Sequence, residues 1–149
     1  MKASKILRIV TIVMLAFVLL VGCVSPKVKA LNPGDYPEPP ESQRYEVLPI
    51  YVAWNGVGSE TWTYETNMAY IIREGSKPPQ PIEGDVIIED ELPGGRTIWF
   101  LGISPGDVVV TFTIQDNTGK VVDIRQYAIR VYENLQLALL HYEYNSFRD

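Results

Sequence analysis

Cys23 and His141 are the single thiol and the single imidazole in a chain of 149 residues. A lone thiol cannot close an intrachain disulfide or supply a multi-thiolate zinc site, but it can be acylated. A lone imidazole leaves His-rich metal centres without their usual parts. His141, set among Leu139, Leu140 and Tyr142, reads as a packed or surface residue. Carboxylates are more plentiful, and Glu89-Asp90-Glu91 is the densest run. It falls in a segment of strand character, where consecutive side chains point to opposite faces, so the three do not converge on a cation or a proton. Asp116-Asn117-Thr118-Gly119 has the composition of a calcium loop but not its length or its closing bidentate Glu. It reads as a hairpin turn. There is no nucleophile-elbow spacing and no glycine-rich phosphate loop. The chemistry expected is anchoring and binding, not catalysis, with no metal and no cofactor.

The position of Cys23 makes its chemistry specific. Lys2, Lys5 and Arg8 precede the largely apolar run 9–22, the layout of a secretory signal and shorter than the ~20 residues of a membrane span. The run ends in Leu20-Val21-Gly22-Cys23, which resembles the lipobox of bacterial lipoproteins. That resemblance implies lipidation of the Cys23 thiol, cleavage just before it and acylation of the new N-terminus. Two or three acyl chains anchor stably where one is marginal. The expected location is the exported side of a cell membrane or an outer membrane, with Cys23 as the attachment.

The whole chain carries 13 cations against 18 anions, a net charge of −5. Without the three leader cations, the exported part carries 10 against 18, a net −8. So acidic a domain is not expected to bind nucleic acid, which needs clustered Lys and Arg.

The elements that must follow fall into four parts: a signal peptide at 1–22, the lipidated Cys and a Pro-rich tether at 23–44, a β domain at 45–133 and a tail at 134–149. The tether holds five of the eleven prolines. Extended at about 3 Å per residue, it would act as a spacer of up to roughly 60 Å. From Tyr45 onward the pattern is β. Strand-like segments run over 46–52, 60–66, 68–73, 85–91, 96–103, 107–115 and 121–133, with a proline-rich loop at 75–84 and turns at 104–107 and 116–119. Val108, Val110, Phe112 and Ile114 share one face, and Trp62 and Trp99 stand at alternating positions expected to pack in the core. About seven short strands with frequent turns predict an all-β, antiparallel β-sandwich. In the tail, Leu135, Leu137 and Leu139 alternate as in a strand, while Leu135, Leu139 and Tyr142 fit a helical face. A short helix on the domain edge is the expectation adopted.

Asn55-Gly56-Val57-Gly58-Ser59-Glu60-Thr61-Trp62 sets an Asn-led loop before an aromatic strand, and Gly94-Gly95-Arg96 is a Gly-rich loop leading into a strand, then a Pro-Gly turn and another strand. In these motifs residues 55–133 resemble the chagasin family of cysteine-protease inhibitors. The first stretch keeps the Asn, the spacing and the Trp of the family's first loop, and lacks its Pro, its Thr pair and its Gly-Tyr. Gly94-Gly95-Arg96, the strand after it and the turn Ser104-Pro105-Gly106-Asp107 follow the family's second loop and its sequel. Where the family has Arg-Pro-Trp, this chain has Gln115-Asp116-Asn117-Thr118-Gly119.

The resemblance implies an immunoglobulin-like scaffold that wedges three loops, non-covalently, into the cleft of a papain-like protease. The contacts would come from Trp54, Asn55, Gly56, Val57 and Gly58, from Gly94, Gly95 and Arg96, and from Asp116 and Asn117. Trp54 is the candidate exposed anchor. Gly94-Gly95 serves equally well as a turn needing positive φ. Gly56 and Gly58 soften the first loop, and the missing Pro-Trp removes the rigid aromatic area on which an interface of ~1,000 Å² relies. The alternative expectation is a non-inhibitory, protein-binding or structural module of the cell envelope on the same fold.

Overall fold

Val108, Val110, Phe112 and Ile114 are all completely buried. Every second side chain of a strand points the same way, so this spacing builds one apolar face that a second layer must cover. In the computed structural model, which describes residues 26–53, 60–76 and 95–148, a second sheet supplies that layer. The strands among the described residues are β1 (Val47–Ala53), β2 (Thr61–Thr66), β3 (Ile72–Gly75), β4 (Gly95–Gly102), β5 (Gly106–Gln115), β6 (Val121–Val131) and β7 (Leu137–Ser146). They form two antiparallel sheets, ordered β1-β4-β3 and β2-β5-β6-β7. The fold is an all-β, immunoglobulin-like sandwich. With β1 to β6 read as strands B to G, the sheets contain B-E-D and C-F-G, as in a constant-type immunoglobulin domain without its first strand. Strand β7 is an addition beside the last of these.

The core lies between the sheets. Leu48, Ile50 and Val52 of β1 and Ile98 and Phe100 of β4 meet the β5 row and Tyr127, Ile129 and Val131 of β6. Phe112 stands at its aromatic centre, with ring centroids 5.3 Å from Tyr64, 5.6 Å from Tyr127 and 6.1 Å from Trp62. Rings at such separations add ~0.5–1.5 kcal/mol per pair beyond the burial itself. Trp62 packs against this cluster while remaining half-buried. Trp99 departs from expectation. Ile98 and Phe100 take the inward positions of β4, so alternation puts half-buried Trp99 on the outer face of the three-stranded sheet.

Three further expectations are corrected. The tail is not helical: Leu137–Ser146 pairs antiparallel with β6 along its whole length. A bulge opposite Ala128/Ile129 makes Leu139 and His141 pair with successive residues, so Leu140 is an extra residue. The inserted residue breaks the period of two and spaces Leu139 three residues from Tyr142, which imitates a helical face. The strand expected over 68–73 begins later, because Met68–Ile71 turn and β3 starts only at Ile72. The described part of the tether, 26–44, is not a free spacer. Leu31, only 9% exposed, packs with Val109 and Ala128 on the outer face of the four-stranded sheet, joined by Tyr36 and Leu140. A 3-10 turn at Pro33–Asp35 is capped by Asn32, and the Tyr36 ring stacks on His141 at 4.2 Å. Arg44 then lies 3.8 Å over the Tyr132 ring, and Tyr45 bridges to Leu137. Two apolar anchors suffice here because prolines restrict the unfolded chain and reduce the entropy lost on docking. The expected strand at 85–91, with its Glu89-Asp90-Glu91, lies outside the described residues.

Candidate functional site

The register of the two sheets collects several strand ends in one place. Ala53, the last residue of β1, pairs with Gly95, the first of β4. Thr61, the first of β2, pairs with Gln115, the last of β5, and Gln115 pairs in turn with Val121 at the start of β6. Contacts across the sandwich join the two sheets at this end. Arg96 lies 5.8 Å over the Trp62 ring and 3.8 Å from Glu74, and the Tyr64 hydroxyl donates to Glu74 at 3.0 Å. The connections from residue 53 to 61 and from 115 to 121 therefore start and finish at one end, where β4 also begins. Gly95, Arg96, Asp116 and Asn117 are found there. Trp54, Asn55, Gly56, Val57, Gly58 and Gly94 lie outside the described residues, as does Cys23.

The β5–β6 turn is closed on itself. Asp116 Oδ1 accepts from the Thr118 amide (2.8 Å), the Thr118 hydroxyl (2.6 Å) and the Lys120 amide (3.0 Å). The Gly119 amide donates to the Asp116 carbonyl at 3.0 Å, and Gly119 takes φ of 82°, a conformation that suits glycine. The Thr118 hydroxyl, more than the backbone amides and Lys120, holds the Asp116 carboxyl below its usual range against a smaller effect of desolvation. Its hydrogen-bonding capacity serves the turn. Among the described residues, no three His, Cys, Asp or Glu side chains come together in a way that could hold a metal ion.

Behind this end lies a brace that sequence reasoning missed. Asp123 is fully buried on β6, opposite Ile114. It accepts from Arg148 Nη2 at 2.5 Å, from Arg148 Nε at 3.2 Å and from the Tyr144 hydroxyl at 3.0 Å. Arg148 Nη1 reaches on to Glu60 at 2.6 Å, and Arg125 stands 3.9 Å from Asp123. Burial by itself would raise the Asp123 carboxyl, but hydrogen bonds from Arg148, Tyr144 and Ser146, with the charge of Arg148, together bring it below the usual carboxylate range. Hydrogen bonds to Glu60 and Asp123 hold the Arg148 guanidinium well above its ordinary value. The brace joins the end of the chain to the residue just before β2. Its one visible signal was an acid within Val121-Val122-Asp123-Ile124, where an apolar residue would ordinarily face the core.

His141 stacks flat on Tyr36, with an interplanar angle of 12°, at the outer face and away from the loop-bearing end. Among the described residues, no helix is long and apolar enough to cross a membrane. The fold and this end together define an immunoglobulin-like sandwich with one braced, loop-bearing end. No family model matches the chain, and neither a curated protein nor a solved structure matches it.

Proposed function

We propose that this protein is a lipid-anchored binding module of the cell envelope, attached through Cys23 on the exported side and engaging another protein through its loop-bearing end. The observation that supports this reading is the convergence of the ends of β1, β2, β4, β5 and β6 at one end of the sandwich, with the Asp123–Arg148–Glu60 brace behind them. A braced base lets loops meet a partner without ordering the whole domain on binding, and that lowers the cost of association. The chagasin resemblance narrows the partner to a papain-like cysteine protease, inhibited by wedging and without covalent chemistry. The test is titration of residues 24–149 against papain and related enzymes. Reversible, competitive inhibition at micromolar concentration supports the inhibitor; its absence removes that version.

The non-inhibitory version is favoured by the β5–β6 turn. Its residues Asp116, Asn117, Thr118, Gly119 and Lys120 include no aromatic or large apolar side chain, and its carboxylate is engaged within the turn. Interfaces draw most of their energy from buried aromatic and Arg anchors, which this turn does not offer. Anchoring has its own test: Cys23→Ser should move the exported protein from the membrane fraction to the soluble fraction, and unchanged fractionation would remove the lipid anchor.

A further inference from the structure

The end of the sandwich opposite the loop-bearing one is built from three turns: 67–71 between β2 and β3, 103–105 between β4 and β5, and 132–136 between β6 and β7. Hydrogen bonds and close backbone packing lock them together. The Ile103 amide donates to the Ile71 carbonyl at 2.8 Å, and the Ser104 hydroxyl donates to the Tyr70 carbonyl at 2.9 Å. A Cβ on Gly102 would stand 2.5 Å from the Leu135 carbonyl oxygen, so the end of β4 backs directly on the third turn. This fixed base holds four large apolar side chains in solvent: Met68 is 53% exposed, Tyr70 85%, Ile103 45% and Leu135 42%. Leu135 is the informative one. Its amide donates to the Tyr132 carbonyl at 2.8 Å and the Tyr132 amide to the Gln136 carbonyl at 2.9 Å, while Leu135 itself takes φ of 65°. In a hairpin loop of this form glycine ordinarily holds the left-handed position, because a Cβ there is strained. A leucine that is strained and still largely exposed gives the fold little in return, and such an outlier points to a role outside the fold.

We propose that this end seats in the interfacial layer of a lipid bilayer, with Met68, Tyr70, Ile103 and Leu135 as the inserted side chains. The proposal rests on the envelope reading above and adds a second attachment to the one at Cys23. Four side chains are few beside the ~20–30 residues a side of a specific protein interface, whether the partner is another protein or a second copy. A bilayer needs no matching shape, and its hold grows with the apolar area inserted. The ring and hydroxyl of Tyr70 suit the boundary between headgroups and acyl chains. The three turns contain no Lys or Arg, and Glu133 is their one charge, so neutral headgroups fit this end and nothing in it draws anionic ones. Chain length allows both attachments on one surface. Leu31 packs with Val109 and Ala128, and Val109 is three residues along β5 from Gly106 at the apolar end, ~10 Å. Cys23 lies eight residues before Leu31, a reach of roughly 26–29 Å. Seated this way, the sandwich stands on the bilayer with its loop-bearing end turned outward to a partner.

The experiment uses the full chain with Cys23→Ser, labelled at one introduced thiol and reconstituted from mild detergent into phosphatidylcholine vesicles, where the apolar run 9–22 keeps it on the surface. Acylation plays no part, so a failure here and a failure of the Cys23 anchor are read separately. A fluorophore at Ala69→Cys, between Met68 and Tyr70, should lose at least about half its emission to lipids spin-labelled on their acyl chains, as expected for insertion at the headgroup boundary. One at Asn117→Cys, at the loop-bearing end, should not. Adding Tyr70→Ser and Leu135→Gly should remove most of the quenching at residue 69. Leu135→Gly should meanwhile hold or raise the melting temperature, because glycine relieves the left-handed strain, and this separates lost seating from lost fold. The proposal is overturned if the two probes are quenched alike, if the two substitutions leave quenching at residue 69 unchanged, or if anionic lipid is required. It is equally overturned if residue 69 becomes shielded from aqueous iodide only as protein concentration rises, which gives the patch to a second copy, or only when another envelope protein is added, which gives it to that protein.

Discussion

Inward from β5 and β6, Val108, Val110, Phe112, Tyr127, Ile129 and Val131 face the opposing sheet and are all buried. Outward from the same two strands, Val109 and Ala128 are closed over by Leu31 and Tyr36, but Thr111, Thr113 and Gln126 line an open cavity. One pair of strands thus holds a dry face, which the fold requires, and a polar face, which it does not. In a sandwich, inward residues are constrained by packing against the second sheet. Outward residues are free to carry recognition chemistry, provided that something shields them from full solvation. Here the N-terminal segment is the shield. Stability should therefore respond differently to substitutions on the two faces.

The largest effect expected is at Phe112, which is fully buried and touches three other rings. Phe112→Ala should cost ~3–5 kcal/mol in denaturant unfolding, the usual cost of an emptied aromatic site. Its neighbour on the strand, Thr113, faces outward and is half-buried, so Thr113→Ala should stay within about 0.5 kcal/mol of the parent. Comparable losses at the two positions would mean that the faces are not separable.

The legibility of the chain follows the same division. Strand β5 was readable because strict alternation of Val108, Val110, Phe112 and Ile114 has no helical counterpart. Strand β7 was not, because the bulge at Leu140 reset its phase. The segment 26–44 read as a spacer because composition weighs its prolines and overlooks where Leu31 and Tyr36 land. Nothing local could indicate that Arg148 reaches Glu60, a partner 88 positions away. The hydrogen-bonding partners that make Asp123 tolerable in an apolar strand are brought to it by β7 and the residues just after it, which come 21 and 25 positions later. The loop residues named by resemblance were legible as a pattern, and of these Gly95, Arg96, Asp116 and Asn117 fall together at one end.

A second, smaller effect tests whether the dry face tolerates its one buried charge only through Arg148. Arg148→Ala leaves the Asp123 carboxylate buried with the Tyr144 and Ser146 hydroxyls and a more distant Arg125. The cost should be ~2–3 kcal/mol, below the range for a wholly buried pair because Arg148 keeps some exposure. The pH dependence has a definite sign. In the parent the folded-state value of Asp123 is lowered, so its contribution is complete above the unfolded carboxyl value of about 3.9 and is lost as pH falls through the folded value. In Arg148→Ala, burial dominates and raises the carboxyl, so the penalty is greatest at neutral pH. Urea unfolding at neutral pH and near pH 3 should show parent and variant converging in acid. A constant gap would mean that Asp123 is not the linked group.

The smallest effect carries the opposite sign, and it bears most directly on the outer face. Gln126→Leu removes the unmatched Oε1 and replaces an amide by an apolar group of similar size next to Ile124 and Val109, which line the same cavity. Removing a buried acceptor that lacks a donor should stabilise the unliganded protein by about 1 kcal/mol, read as a higher melting temperature. If Gln126→Leu lowers the melting temperature, the amide is supporting the sheet and the polar face belongs to the structure as much as the dry one does. If it raises the melting temperature, the amide is no part of what holds the sheet, and the two faces differ in how their buried polar groups are kept: Asp123 is held by its donors, whereas the Gln126 Oε1 has none.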